Sequence, residues 1–237
     1  MALTKVTGEG VGNVDSLGIG TASPSHPLHI VTSTDGTGVS GDDKWAAVIQ
    51  NAEATDARSY GLKIMAGSTT DQPLAITDHD GSNDLMAVDG YGHVTMPKQS
   101  AFFARSGSNS SAYSIDGWNT IAFVTERFDN NADFSSPNFT APITGRYQLN
   151  VNIRLSDLDN DADYYQLKLV TSNYNYYFAL IDPGRWSGTL NYYSAAVSVL
   201  ADMDASDTAY VQIYQGAGAQ QTYSNDNDCH FSGYLVA

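Results

Sequence analysis

Cysteine, basic residues and long apolar runs are all scarce in this sequence, and each shortage excludes a class of protein. The single cysteine among the 237 residues, Cys229, excludes an internal disulfide framework and a cysteine-rich zinc site, and we expect it to be a small buried side chain. There are 11 basic residues against 26 acidic ones, which gives a formal net charge of −15. The positive surface that binds nucleic acid is therefore missing. No apolar run reaches the length of a membrane-spanning helix, and the first ten residues have no apolar signal-peptide core, so we expect neither nucleic acid nor membrane insertion.

Motifs that carry catalysis are missing as well. The five histidines are scattered along the chain. Neither a nucleophile elbow, a zinc-protease motif nor a phosphate-binding glycine loop is present. We therefore predict no catalytic residues, no enzymatic activity and no required cofactor.

The second part of the chain is rich in tyrosine and in alternating segments. Thirteen of the 15 tyrosines follow residue 100. From Tyr147 to Leu155, apolar and polar residues alternate strictly, which is the pattern of a strand with one buried face, and the same period recurs at 193–199 and 209–214. Short strands separated by Asn, Asp, Gly and Ser predict an all-β, antiparallel jelly-roll sandwich without helices after residue 98.

The first part of the chain also favours short strands. We predict them at 28–32, 60–66, 73–78, 84–89 and 93–96, while 45–51 fits either a strand or a helix. So few large apolar residues make a poor monomeric core, and this region is expected to complete its burial against copies of itself. An intertwined β shaft meets that need.

A group of residues in the second part resembles the signature of the C1q/tumour-necrosis-factor-like head domain. The string from Asn138 to Leu149 and the C-terminal Phe231-Ser232-Gly233-Tyr234-Leu235 match that signature in order and spacing. The resemblance implies a ten-strand jelly roll that assembles as a homotrimer with aromatic and apolar residues along the threefold axis. The signature residues are structural in this interpretation: Phe139, Pro142, Gly145, Tyr147, Phe231 and Gly233.

Two glycine-containing segments in the first part are similar to elements of bacteriophage tail fibres and tail spikes. One runs from Leu17 to Ile30 and contains Gly-Ile-Gly-Thr and Leu-His-Ile; the other runs from Val88 to Pro97. This resemblance implies a virion protein, made in the host cytoplasm and released on lysis. It divides the chain into an attachment segment at 1–25, a β-rich fibre shaft at 26–98 and a C1q-like head at 99–237.

Two functions are compatible with such a protein. In the first, the N-terminus attaches to a phage tail or capsid protein and the head adheres to a glycan or protein on the bacterial surface. In the second, the same homotrimer is a head fibre or capsid decoration with a structural role. The aromatic-rich head favours adhesion, whereas the short shaft favours decoration.

Aromatic residues among Asn and Ser provide the candidate ligand-binding site. Tyrosine and tryptophan rings stack on the C–H faces of sugars, and amides hydrogen-bond to hydroxyls. The alternative is that such rings belong to the core or the trimer interface. Because loop positions favour exposed contact, the candidates are Tyr174, Asn175, Tyr176 and Trp186.

An acidic segment provides a candidate Ca²⁺ site. Its four alternating carboxylates are the hard oxygen ligands that Ca²⁺ prefers, namely Asp157, Asp159, Asp161 and Asp163. An EF-hand is excluded because Ala162 and Lys168 stand where that loop needs Gly and Glu. The alternative is a solvated hairpin turn rich in Asp and Asn.

Overall fold

The structure, a computed structural model, describes residues 17–19, 21–30, 62–65, 68–107, 110–188, 190–219, 222–224 and 229–237. Its strands, in chain order, are β1 Leu17–Ile19, β2 Leu28–Ile30, β3 Leu74–Thr77, β4 Asp84–Val88, β5 Val94–Thr95, β6 Ala101–Arg105, β7 Ser110–Ala112, β8 Trp118–Thr120, β9 Thr125–Asp129, β10 Phe134–Ser135, β11 Asn138–Thr140, β12 Gly145–Leu158, β13 Tyr164–Thr171, β14 Asn175–Ile181, β15 Leu190–Met203, β16 Thr208–Gly216, β17 Thr222–Ser224 and β18 His230–Leu235. One 3-10 turn covers Pro183–Arg185, and the described residues contain no α-helix. The all-β prediction is confirmed. No helix in the described part of the chain is long and apolar enough to cross a membrane.

The chain divides into two compact units, 1–65 and 66–237. In the first, β1 and β2 pair in parallel and leave Leu17 and Leu28 exposed. The strand predicted at 60–66 is wrong for residues 62–65, which lie outside any strand because no described strand pairs with them. The segment at 45–51 and most of the predicted attachment segment lie outside the described residues.

The second unit begins with a three-stranded antiparallel sheet in the order β3-β4-β5. Its strands lie within the predicted segments 73–78, 84–89 and 93–96. Ala87 is its one buried apolar residue, whereas Ile76, Leu85 and Val94 are exposed. This sheet has almost no core of its own, as expected from its composition.

The rest of the unit is a sandwich of two antiparallel sheets, with β7 and β17 paired in a small separate sheet. The first sheet has the order β15-β12-β18-β6-β9, and the second has the order β10-β11-β16-β13-β14 with β8 also paired to β16. Neighbouring strands are often distant in sequence, as where β12 pairs with β18 and β11 with β16. Two sheets with such crossovers form a jelly roll, which confirms the predicted fold class.

The core lies between these sheets and is built by strand alternation. Tyr147, Leu149, Val151, Ile153 and Leu155 point inward from β12 and are at most 2% exposed. An aromatic cluster joins the sheets, since the Phe102 ring lies 4.7 Å from Phe139, 5.0 Å from Phe231 and 5.1 Å from Phe134 between centroids. The single cysteine, Cys229, is fully buried, as predicted.

Candidate ligand-binding site

The outer face of the first sheet carries large exposed apolar and aromatic side chains. They come from three of its strands, β9, β15 and β18: Phe128, Tyr192, Leu200 and Tyr234. On the same face the Phe103 ring stacks on His230 at 5.1 Å and lies 6.3 Å from Phe128. These side chains lie around polar side chains of the central strand β12, namely Gln148, Asn150, Asn152 and Arg154. Large apolar side chains exposed in this way often mark a surface that another molecule covers.

The outer face of the second sheet carries a cluster of a different kind, the aromatic–lysine cluster, consisting of Trp118, Tyr164, Lys168, Tyr177 and Tyr214. Strand β16 brings it together, since it pairs with β8 along one edge and with β13 along the other. Tyr214 of β16 lies opposite Trp118, and Lys168 of β13 lies opposite Tyr177 of β14. Alternation points these side chains away from the core, because Leu167, Leu169 and Ile213 next to them point inward.

Lys168 is the centre of the cluster. Its Nζ atom lies 3.9 Å from the Trp118 ring centroid and 5.8 Å from the Tyr177 ring centroid. Aromatic faces attract cations at these distances. The rings also cover the side chain, so that Lys168 is only 9% exposed, and this desolvation lowers the pKa of its ammonium.

The aromatic rings form a continuous surface around that ammonium. Trp118 lies 5.5 Å from Tyr214 and 6.0 Å from Tyr177, and Tyr214 stacks on Tyr164 at 5.3 Å. Trp118 remains 36% exposed and Tyr177 55% exposed. Hydrogen bonding to Tyr164 raises the pKa of Tyr214, whose hydroxyl lies 3.5 Å from a carboxylate oxygen of Asp116. The arrangement offers flat rings, hydroxyls and one cation to a ligand.

The ligand-binding residues predicted from sequence lie at opposite ends of β14. Tyr174 and Tyr176 flank the β13–β14 turn with their rings 5.0 Å apart, and Asn175 between them is exposed. The turn is closed by hydrogen bonds from Thr171 N and Oγ1 to the Tyr174 carbonyl, at 2.8 and 3.1 Å. Burial raises the pKa of Tyr176. Trp186 follows the 3-10 turn after β14 and has Tyr193, at 6.5 Å, as its ring neighbour. The four residues therefore do not form one site.

Sequence reasoning did not find the aromatic–lysine cluster. Lys168 matters in the sequence only as a residue that excludes an EF-hand, and no motif predicts that Trp118, Tyr177 or Tyr214 lies beside it. The available signal was the isolated charge: in the six strands of the second sheet, Lys168 is the only charged residue.

The four aspartates of the candidate Ca²⁺ site do not all lie in one loop: Asp157 is in a strand, and the other three lie between β12 and β13. Asp157 lies within β12, which extends to Leu158, and has a positive φ of 53°. Asp159 uses both carboxylate oxygens, accepting hydrogen bonds from Asp161 N at 3.0 Å and Ala219 N at 2.6 Å. Asp161 and Asp163 are exposed. Among the described residues, no group of three or more His, Cys, Asp or Glu side chains is placed to hold a metal ion.

The predicted signature residues occupy structural positions. Phe139, Tyr147 and Phe231 are fully buried, and the Tyr147 hydroxyl donates to the Ile143 carbonyl at 2.7 Å. Pro142 is exposed in the turn before β12.

The two signature glycines lie where strands approach closely. A Cβ atom on Gly145 would lie 2.7 Å from the Ala237 carbonyl oxygen, and one on Gly233 would lie 2.6 Å from Leu149 Cδ2. A Cβ atom at either position would therefore require its neighbours to shift.

Comparisons with family models and with curated proteins find no match. Solved structures that the chain is similar to include the globular domain of zebrafish complement 1qA, at 16% identity and a TM-score of 0.42, covering 59% of this chain and 98% of that one. Murine APRIL at pH 5.0 is 10% identical, with a TM-score of 0.40 and coverages of 59% and 100%. Eiger TNF from S. frugiperda is 13% identical, with a TM-score of 0.40 and coverages of 59% and 94%. The jelly-roll assignment made here rests on the strand order and pairing described above.

Proposed function

We propose that this chain is a homotrimeric phage virion fibre protein whose head adheres to a glycan or protein on the bacterial surface. The observation that carries the proposal is the contrast between the two outer faces of the sandwich. One carries large exposed apolar side chains around a polar central strand and is suited to self-association, while the other presents exposed aromatic rings around a lysine. A head built in this way can assemble through one face and bind a ligand with the other.

The apolar face supports self-association. Tyr192, Leu200, Phe128 and Tyr234 would otherwise expose large apolar side chains to water, each contributing free energy when covered. The β3–β5 sheet points in the same direction because Ile76, Leu85 and Val94 lack cover. In the first unit, Leu17, Ile19 and Leu28 are exposed too. A trimer would cover such surfaces along the whole chain.

Binding of the fluorescently labelled full chain to a panel of bacterial isolates tests adhesion. We expect saturable binding to permissive isolates. Sensitivity to periodate oxidation of the cells would identify a glycan receptor, and insensitivity a protein receptor. Absence of binding to every permissive isolate would contradict adhesion.

The alternative function, a capsid head fibre or decoration protein, predicts the same trimer without cell binding. Immunogold labelling of intact virions separates the two, since a fibre protein of the tail and a capsid decoration are labelled at different positions. The short shaft predicted from sequence is the feature that favours the capsid.

A further inference from the structure

We propose that the aromatic–lysine cluster is a binding site for a carboxylate-bearing sugar, with the saccharide ring stacked on Trp118 and Tyr177 and its carboxylate paired to Lys168. This inference rests on the proposed adhesive function and assigns it a place and a ligand class. It differs from the sites predicted at the ends of β14, and it depends on residues that only the folded sheet brings together.

The Lys168 ammonium has no anionic partner among the residues that the structure describes. Lys168 is the only charged residue in the six strands of the second sheet, and no carboxylate in the described part of the chain lies within ion-pairing distance of it. Desolvation is the only cause that shifts its pKa, and no neighbouring acid opposes the shift. An anionic ligand would favour the charged form of this partly desolvated ammonium and would supply the charge-assisted hydrogen bond that it lacks.

The aromatic rings around Lys168 have a shape that suits a sugar. Trp118 and Tyr177 flank the ammonium with exposed rings, and Tyr214 extends the same surface. Rings of this kind stack on apolar C–H faces, while their hydroxyl and indole groups can hydrogen-bond at the edge. A flat aromatic surface beside a single cation is complementary to a pyranose ring that carries one carboxylate.

The position of the cluster also favours access by a ligand. The cluster lies on the second sheet, whereas the large apolar patch that favours self-association lies on the outer face of the first sheet. Assembly through the first sheet would therefore leave the cluster open to solvent. A ligand held there would also need local attraction, because the net charge of −15 repels anions at long range.

The test uses the full chain and three defined probes: oligosaccharides of galacturonate, glucuronate and sialate. Each is compared with the same oligosaccharide after its carboxyl groups have been reduced to alcohols. We expect at least one acidic probe to bind by isothermal titration calorimetry, and its reduced form to bind about 10-fold to 100-fold more weakly, as the loss of one charge-assisted hydrogen bond predicts.

Variants assign the binding to the cluster. Lys168→Met keeps most of the apolar stem over the rings and should cause a similar 10-fold to 100-fold loss, whereas Lys168→Arg should retain most of the affinity. Trp118→Leu should weaken the acidic probe and its reduced form together, because it removes stacking. The matched control is Lys98→Met, an exposed lysine that precedes β6 and lies outside the second sheet. Circular dichroism and thermal unfolding confirm that each variant is folded.

Failure of this inference is distinguishable from failure of the proposed function. If none of the three acidic probes binds, or if Lys168→Met binds an acidic probe as tightly as the parent chain, the inference is overturned. Binding of the parent chain and of Lys168→Met to permissive bacterial cells is measured in parallel. Equal cell binding by both would leave adhesion intact and place the receptor site elsewhere, whereas no cell binding by the parent chain would overturn adhesion itself.

Discussion

Gly233 lies in β18, opposite Leu149 of the neighbouring strand β12 in the same sheet, and is buried. A Cβ atom there would lie 2.6 Å from Leu149 Cδ2 and 3.0 Å from both the Gln148 carbonyl oxygen and Phe102 Cε1. Two of these atoms belong to a fully packed core and one to the backbone, so the added methyl group cannot be accommodated without displacement. We predict that Gly233→Ala lowers the free energy of unfolding by about 1–3 kcal/mol.

Chemical denaturation at one fixed protein concentration measures this change. Gly184→Ala is the matched control, because its Cβ would meet Asp182 Oδ1 at 3.6 Å, an ordinary contact. The control should change the free energy of unfolding by less than about 0.5 kcal/mol. Equal stability of the two variants would mean that β18 has room to shift away from β12.

The surroundings of some single residues follow from the sequence, and those of others do not. Burial of Phe139, Tyr147 and Phe231 could be anticipated because apolar residues in alternating strands point to a core. The contact between Trp118 and Lys168 could not be anticipated, because it depends on β16 lying between β8 and β13. Strand order is set by long-range pairing, which has no signature in the local sequence.

At the scale of elements, the hairpin turn between β3 and β4 is organised by one carboxylate. Asp78 accepts hydrogen bonds from Asn83 Nδ2 at 2.6 Å and from Ser82 N at 2.9 Å. The Asn83 side chain is the largest cause that lowers the pKa of Asp78 to about 2, from an ordinary 3.8. Because the folded pKa is lower than the unfolded one, the stabilisation of the turn is present above about pH 4 and is lost as the pH falls towards 2.

We predict that Asn83→Ala raises the pKa of Asp78 towards 3.8 and moves the acid-induced loss of the turn to higher pH. Carboxyl chemical shifts and amide exchange in β3 and β4 across pH 2–5 measure both effects. The control is Gln72→Ala, whose amide contacts Asp84 and not Asp78. An unchanged Asp78 titration in Asn83→Ala would show that the backbone donors alone hold the carboxylate.

The element that begins with Asp159 distinguishes a turn from a calcium site. Its carboxylate joins the β12–β13 connection to the loop after β16 through Ala219 N, and also binds Asp161 N. Removing it leaves two backbone donors without this acceptor, so Asp159→Ala should cost about 1 kcal/mol of stability. If the segment is a plain turn, the parent chain should have the same melting temperature with added Ca²⁺ and with chelator.

Asp161→Ala is the control for this element, because the Asp161 side chain is exposed and its carboxylate accepts none of the turn's hydrogen bonds described above. It should leave the melting temperature unchanged. A melting temperature of the parent chain that falls with chelator, and does so less in Asp161→Ala, would instead establish the calcium alternative, since a ligand bound only to the folded state stabilises it.

The sequence predicts long strands with one buried face well and short strands without a core unevenly, since β3, β4 and β5 lie within predicted segments whereas residues 62–65 form no strand. β12, β15 and β16 were recognisable because their alternation continues over many residues against a core. Leu62, Ile64 and Met65 are apolar but lie in no strand, because a strand needs a pairing partner as well as a suitable composition. The sequence also does not predict that β12 continues beyond Leu155 to Leu158. The apolar alternation is interrupted there by Ser156 and by Asp157, which has a positive φ.

At the scale of the whole molecule, the exposed apolar face of the first sheet leads to a prediction of oligomeric state. Light scattering should give three times the chain mass of 25.4 kDa. Leu200 lies on this face opposite Gln148 and is 54% exposed, so a glutamate there can be solvated in an isolated chain. In a trimer the same glutamate would be repeated around the axis and buried without a partner, which strongly disfavours association.

Leu200→Glu should therefore reduce the mass towards that of a single chain while the far-ultraviolet circular dichroism stays unchanged. Leu180→Glu is the matched control, since Leu180 is 68% exposed on the second sheet, which the proposed assembly leaves open. This variant should remain trimeric. If the parent chain has the mass of a single chain, the prediction of a trimer is wrong. If Leu200→Glu stays trimeric and Leu180→Glu dissociates, the interface lies on the second sheet. An interface on the second sheet would bury the aromatic–lysine cluster and exclude it as a ligand site. The measurement of oligomeric state therefore also decides which face of the head is free to bind a ligand.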